Sequence, residues 1–203
     1  MLSHYGFSLD ALKWIESYLT NRGQTVFFNG SYSKVSHIEC GVPQGSCLGP
    51  LLFSIFINDL PLILDKSQIA MYADDSTIYA AAKSTVRLNR ILAKELELVV
   101  EWVLNNKLVL NAAKTKSLLI GSASKLKENL TLNLVINNIE VEQVRELKLL
   151  GIIIDQTLSW TSHINNVVGK MGRGVAVTRR VAKGMTKDVR KKVLTALVLS
   201  HLD

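Results

Sequence analysis

Residues 71–75, Met71-Tyr72-Ala73-Asp74-Asp75, put two adjacent carboxylates at the end of one short apolar run, and a second run, Thr77 to Ala81, follows directly. Two such runs around a tight turn predict a β-hairpin with both acids at its tip. A hairpin tip on a sheet holds carboxylates still and exposed, which is what divalent cations need from a protein that carries out phosphoryl chemistry. Upstream lies a second unusual segment, Gly41-Val42-Pro43-Gln44-Gly45-Ser46, which feeds an apolar helix expected over Leu48 to Leu64.

Outward from these stretches, helical and strand patterns mix without strict alternation, so the expected fold class is α+β. Ser8 to Leu19 reads as an amphipathic helix with Leu9, Leu12, Ile15 and Leu19 on one face and Ser8 as its cap. Gln24 to Phe28 and Lys34 to Cys40 read as strands joined around Asn29-Gly30. Ser84 to Lys107 is the longest expected helix, with Leu88, Leu92, Leu96, Val99 and Val103 as its apolar stripe. Lys116 to Ile120, Leu132 to Ile136 and Leu147 to Ile154 are strand-like, and Asn137-Asn138 marks a turn. From His163 onward the pattern is helical, broken at Gly184 and Thr186. The rhythm of Lys187 to Asp203 is expected to run on to the last residue, and no strand is expected ahead of the first helix, so both ends read as cut from a longer polypeptide.

The 203 residues suffice for one sizeable core, and 48% apolar with 20% charged residues is an ordinary globular balance. The longest apolar stretch is broken by Pro50, Ser54, Asn58, Asp59 and Pro61, so it reads as a buried helix and not a membrane span. Nothing reads as a secretory signal or a dedicated import signal, and the expected location is intracellular. Cys40 and Cys47 form no zinc pattern and are expected to be reduced, small buried hydrophobes.

The charge of +7 is unevenly placed. Residues 163–203 carry nine basic residues, Lys170, Arg173, Arg179, Arg180, Lys183, Lys187, Arg190, Lys191 and Lys192, against Asp188 and Asp203, while the rest of the chain balances 15 basic against 15 acidic. A neutral body with a basic helical tail fits contact with a nucleic-acid backbone, although a solvated helical face has the same composition. The acidic tip in the same chain favours the first reading, because an enzyme acting on a polyanion needs both metal ligands and cationic grip.

Each feature alone has a plain structural reading. An Asp-Asp pair in a turn is ordinarily solvated, and an isolated Pro-Gln-Gly is ordinarily a turn into a helix capped here by Ser46. Together they suggest more. Gly41, Gly45 and Gly49 permit close backbone approach, Pro43 directs the chain, and Gln44 offers a donor and an acceptor without competing for metal.

The ordered segments GVPQGSCLGPLLFSIFINDL and YADD resemble the reverse transcriptases of non-LTR retrotransposons, the jockey-like group in particular. EWVLNNKLVLNAAKTKSLLIG, LKLLGIIIDQTLSWTSHI and the opening LSHYGFSLDALKWIESYLTNRGQTVFFNG extend the similarity over nearly the whole chain. The resemblance implies a polymerase palm with part of the fingers over residues 1–160, built as an antiparallel sheet with helices on one face. It implies the start of a basic helical thumb over residues 161–203. Asp74 and Asp75 would bind Mg²⁺, two ions in the complete enzyme, with Mn²⁺ as an alternative. Pro43, Gln44 and Gly45 would lie beside the incoming nucleotide and template. Lys114 matches the family's general acid toward the pyrophosphate, with Lys116 as a rival and an exposed loop lysine as the plain reading. Leu150 and Gly151 match the primer grip, although Gly151 by itself reads as a strand bulge. Arg179, Arg180 and Lys183 would contact phosphates without reading bases. The implied partners are an RNA template, a DNA primer and deoxynucleoside triphosphates, with no membrane.

The family also places another catalytic aspartate on a strand ahead of the first helix here. Asp10, at a helix start, is explained by capping or the helix dipole and does not substitute for it. The chain as written is therefore expected not to be an active polymerase by itself. Two other classes remain open at this stage: a non-catalytic nucleic-acid-binding remnant of a retroelement, and a nucleotide cyclase with a similar acidic palm, against which the glutamine loop and basic tail argue.

Overall fold

The helix expected after Ser8 forms as α1 (Leu9–Leu19), and the Ser8 hydroxyl accepts from the Ala11 amide at 3.3 Å, which satisfies one of the orphan donors of the first turn. The computed structural model describes residues 2–126 and 130–202; Asp203, counted in the basic tail above, lies outside them. Ile15 is buried, whereas Leu9, expected on the same face, is exposed at the helix start.

The two strands expected around Asn29-Gly30 are divided into nested pairs. β1 (Arg22–Gln24) pairs antiparallel with β4 (Ser36–Ile38), and inside them β2 (Phe27–Phe28) pairs with β3 (Ser31–Tyr32) across Asn29-Gly30. Both central turn residues have positive φ, 49° and 80°, the twist that matches a two-residue hairpin.

The apolar helix is shorter than its hydrophobic run. α2 spans Leu48–Ile57, and a 3₁₀ turn, Leu60–Ile63, replaces its expected last turns. Pro61 accounts for this: it has no amide to donate and its ring would clash with the carbonyl four residues back, at Ile57. The strands of the acidic hairpin, β5 (Gln68–Tyr72) and β6 (Asp75–Tyr79), follow, and then the 21-residue α3 (Thr85–Asn105). Val99 and Val103 of the expected stripe are buried, joined by Trp102, whose ring lies 6.2 Å from that of Phe56 on α2. With Leu52, Ile57 and Leu60 these residues form the core of one compact unit, which comprises the chain up to Ala82 and Arg90–Leu108.

A second unit comprises Lys83–Asn89 and the chain from Val109 onward. β7 (Lys116–Leu118) is followed by the single-turn α4 (Ala123–Leu126), then β8 (Val135–Ile136) and β9 (Ile139–Glu140), which pair across Asn137-Asn138 as the turn signal predicts. β10 (Glu142–Val144) runs parallel to β7. Leu119, Leu132, Leu134, Ile136 and Val141 are buried here. The expected single strand over Leu147 to Ile154 is instead a hairpin: β11 (Glu146–Leu149) and β12 (Ile152–Asp155) pair antiparallel around Leu150-Gly151. The Gly151 φ of 93° belongs to that turn and not to a bulge.

α5 (Thr161–Val181) and α6 (Lys187–Leu197) close the second unit, separated by a 3₁₀ turn at Ala182–Gly184 and capped at Thr186, whose hydroxyl accepts from the Val189 amide. α6 does not run to the end of the chain as its rhythm suggests, because Val198 turns inward and is buried and a 3₁₀ turn follows. The fold is thus α+β. Among the described residues the strands form six separate two-stranded pairings, one of them parallel, in place of one continuous antiparallel sheet. Among the described residues no helix is long and apolar enough to cross a membrane.

Candidate nucleotide and nucleic-acid site

The acidic hairpin has the geometry its sequence predicts. Gln68 pairs with Tyr79 at the base and Tyr72 with Asp75 at the tip, which leaves only Ala73 and Asp74 in the turn. Both carboxylates are exposed, and neither takes part in a hydrogen bond or ion pair among the described residues. Ala73 adopts φ 52°, a left-handed conformation that favours glycine, so the tip carries backbone strain. The burial alternates along β5, with Ile69 and Met71 half-buried and Gln68, Ala70 and Tyr72 exposed.

The glutamine loop is a β-turn with an assigned place for each residue. The Ser46 amide donates to the Pro43 carbonyl at 3.3 Å, Gln44 occupies the first central position, and Gly45 the second with φ 80°. That is the pattern of a type II turn, in which the second central position needs positive φ. Gln44 is exposed at the crown. Ser46 caps the start of α2 as expected: its hydroxyl accepts from the Gly49 amide at 3.0 Å, one residue ahead of the helix boundary at Cys47. Gly49 is buried, and a Cβ there would stand 3.0 Å from the Ser46 hydroxyl and 3.3 Å from Val42, so its small size lets the loop fold back on the helix. Cys40 and Cys47 flank this loop as free thiols and are exposed, contrary to the expected burial, because the loop they belong to runs over the surface.

Arg22, which the sequence reading passed over, fastens the loop's entrance. Its Nε donates to the Leu19 carbonyl at 2.8 Å, and Nη2 donates to Cys40 at 3.3 Å and Gly41 at 2.5 Å.

In the second unit, Lys114 sits in a turn where its amide donates to the Asn111 carbonyl at 3.1 Å, and its side chain is exposed. Its rival, Lys116, is engaged in an ion pair with Glu142 across the parallel β7–β10 pair. Leu150 and Gly151 are the exposed central residues of the β11–β12 turn, with φ 47° and 93°. The residues after β12 are gathered by Asp155, whose carboxylate accepts from the Thr157 amide and hydroxyl at 2.9 and 2.6 Å, the Ser159 amide and hydroxyl at 3.1 and 3.0 Å, and the Trp160 amide at 3.1 Å. The Thr157 hydroxyl first, and then the Ser159 amide, hold its pKa well below the ordinary carboxylate range. This loop fixes the start of α5. At the other end of α5, Arg179 and Arg180 lie in the last turn and Lys183 in the following 3₁₀ turn, all exposed.

Two exposed carboxylates are hard oxygen donors, suited to a cation that keeps most of its waters and takes one or two protein carboxylates. Among the described residues no cluster of three or more metal-ligating side chains occurs, so Asp74 and Asp75 form a minimal donor set.

Residues 4–154 match the family model for reverse transcriptase (RNA-dependent DNA polymerase). Relatives include the RNA-directed DNA polymerase from mobile element jockey of Drosophila funebris, 32% identical over 75% of this chain and 17% of its own length. The corresponding protein of Drosophila melanogaster is 27% identical over 89% of this chain and 21% of its own length. The Pol polyprotein of the type-1 retrotransposable element R1 of Bradysia coprophila is 29% identical over 79% of this chain and 16% of its length. The chain thus spans about a fifth of these relatives. No solved structure matches it. The matched span contains, in chain order, the glutamine loop, the acidic hairpin and the Leu150-Gly151 turn, and by the family match and these relatives the chain belongs to the reverse transcriptase family, among those of jockey-like non-LTR mobile elements.

Proposed function

We propose that this chain is the part of an RNA-directed DNA polymerase that presents the metal-binding carboxylates, the nucleotide loop and the first thumb helices to a primed RNA template. The observation that carries the reading is the exposed Asp74-Asp75 pair at a two-residue hairpin tip inside the family match. Residues 1–160 correspond to palm with part of the fingers and residues 161–203 to the start of the thumb.

In this reading Asp74 and Asp75 hold Mg²⁺, or Mn²⁺ in its place. When bound, two ions activate the primer hydroxyl and neutralise the triphosphate of an incoming deoxynucleotide. The primer 3′ hydroxyl loses its proton to solvent as its oxygen forms the new bond to the α-phosphorus, the bond to pyrophosphate breaks, and Lys114 gives a proton to that leaving group. The exposed ammonium of Lys114 supports this role over Lys116, whose charge Glu142 already meets. Gln44, at the crown of its turn with Pro43 and Gly45 behind it, contacts nucleotide and template base through its amide. Leu150 and Gly151 offer turn backbone to the primer strand, and Gly151 adds no Cβ to a position with open space around it. Arg179, Arg180 and Lys183 grip phosphates.

Among the described residues no third ligand joins Asp74 and Asp75, and two carboxylates are too few to fix two ions, so this chain by itself should give no templated synthesis. Replacing the matched segment of the Drosophila funebris relative with this chain tests the function. The chimera should extend a labelled primer on an RNA template, and Asp74→Asn or Asp75→Asn should abolish extension. A chimera that binds primed template yet extends nothing would favour a nucleic-acid-binding role without catalysis.

A further inference from the structure

Glu95 is a buried acid on α3. It is 2% exposed, and it takes part in none of the ion pairs among the described residues. Burying an ionised carboxylate is costly unless donors replace its water. Here every donor comes from three consecutive residues. Oε1 accepts from the Lys66 amide at 2.9 Å and the Asp65 amide at 3.3 Å, and Oε2 accepts from the Asp65 amide at 3.1 Å and the Ser67 hydroxyl at 3.2 Å.

Those three residues are the entrance to β5, which begins at Gln68. The β5–β6 hairpin pairs with no third strand among the described residues, and an isolated two-stranded hairpin is at best marginally stable and fixes no direction for its tip. Its aim is set by the packing of its half-buried face, Ile69 and Met71 among it, and by how its base is held. From Gln68 to Tyr72 is about 13 Å at roughly 3.3 Å per residue, so a tilt of about 5° at the base carries the tip by about 1 Å. Displacement by about 1 Å of a group that must hold a reacting centre costs on the order of a hundredfold in rate.

We infer that Glu95 is the positioning residue of the acidic hairpin: α3 uses its carboxylate to clamp the Asp65-Lys66-Ser67 turn and so sets where Asp74 and Asp75 stand. The inference rests on the metal-binding reading of those two aspartates only for its consequence; the clamp itself is a property of the fold. An apolar residue at position 95 would pack α3 without the cost of a buried charge, but it would leave two backbone amides of the turn without acceptors.

The test uses the full chain with two readouts, amide hydrogen exchange across Gln68 to Tyr79 and Mn²⁺ affinity by water-proton relaxation. Glu95→Gln preserves shape but sets an amide nitrogen against amide donors. It should raise exchange throughout the hairpin and weaken Mn²⁺ binding by about tenfold, or about 1.4 kcal/mol. Ile15→Ala, which empties a buried site on α1 in the same unit, serves as a control matched for lost stability and should move neither readout. Should Glu95→Gln lower only the melting temperature and otherwise behave like Ile15→Ala, the clamp is refuted. If Glu95→Gln does not fold, Ser67→Ala removes one of the four bonds and should move both readouts in the same direction by about two- to threefold; no movement again refutes the clamp. Asp74→Asn and Asp75→Asn separate the two ideas. If they leave Mn²⁺ binding intact, the metal reading fails, and hairpin exchange alone decides for or against Glu95.

Discussion

Arg22 donates to the carbonyl oxygen of Gly41, and through that bond and its companions to Cys40 and Leu19 the end of α1 holds the entrance of the glutamine loop. Nε meets the Leu19 carbonyl while Nη2 meets those of Cys40 and Gly41, so the bonds use two nitrogens of the planar guanidinium, where a lysine has one.

Arg22→Lys should therefore loosen the loop without unfolding its unit. Hydrogen bonds from a charged donor are worth about 1.5–3 kcal/mol, and exposure of the pair to Cys40 and Gly41 lowers the expected loss to about 1–2 kcal/mol. Amide exchange at Gly41 to Ser46 should rise while that of α3 stays unchanged. Equal protection in both proteins would mean the loop is held by its own turn alone.

Gly174 sets how closely α5 and α6 approach. It is buried, and a Cβ there would press on the Leu197 carbonyl and stand 3.0 Å from Val198, atoms that belong to backbone and to a buried side chain. Neither can yield without moving the helix. Gly174→Ala gains helix propensity but overpacks this contact, and the net effect should be a loss of about 1–3 kcal/mol. Chemical denaturation checks this, and a stabilised variant would show that the helices can separate freely.

Asp155 gives the loop before α5 a pH dependence of known sign. Its folded pKa is depressed by the Thr157 hydroxyl and the Ser159 amide, so the charged form stabilises the fold above the ordinary value of 3.8 and that contribution fades as pH falls below it. Wild type should melt above Asp155→Asn at pH 7, and the gap should narrow below about pH 4. A gap that stays constant through that range would show that the bonds do not depend on the charge.

The legible parts of this chain were those in which local chemistry decides. Asn29-Gly30 and Asn137-Asn138 marked their turns because those residues tolerate positive φ, and the acidic tip was readable from apolar runs on either side of Asp74 and Asp75. Leu147 to Ile154 misled because its apolar run passes through the turn at Leu150, a residue with no turn preference, so that only Gly151 hinted at a hairpin. The apolar run of α2 outlasted its helix because hydrophobicity continues past Pro61 while backbone hydrogen bonding does not. Glu95 was missed although a signal existed. It lies three residues after Leu92 and four before Val99, squarely on the apolar side of α3, where an acid asks for buried donors. Arg22 and Asp155 left no such signal, since their partners are carbonyls, amides and hydroxyls that any sequence could supply.

Ala73 is where local preference and the candidate site disagree. A left-handed φ of 52° costs a residue with a Cβ about 1–2 kcal/mol, and glycine would adopt it freely. Glycine also gains more freedom in the unfolded chain, which returns about 0.5–1 kcal/mol of that benefit. Ala73→Gly should thus raise stability by a few tenths to about 1 kcal/mol, read as a higher melting temperature. The same substitution widens the backbone conformations open to the tip, so amide exchange at Asp74 and Asp75 should quicken even as the protein as a whole becomes more stable. That combination would identify Ala73 as a residue whose strain keeps two neighbouring carboxylates in one arrangement. A variant that loses stability would instead show that the methyl group makes a contact worth more than the strain.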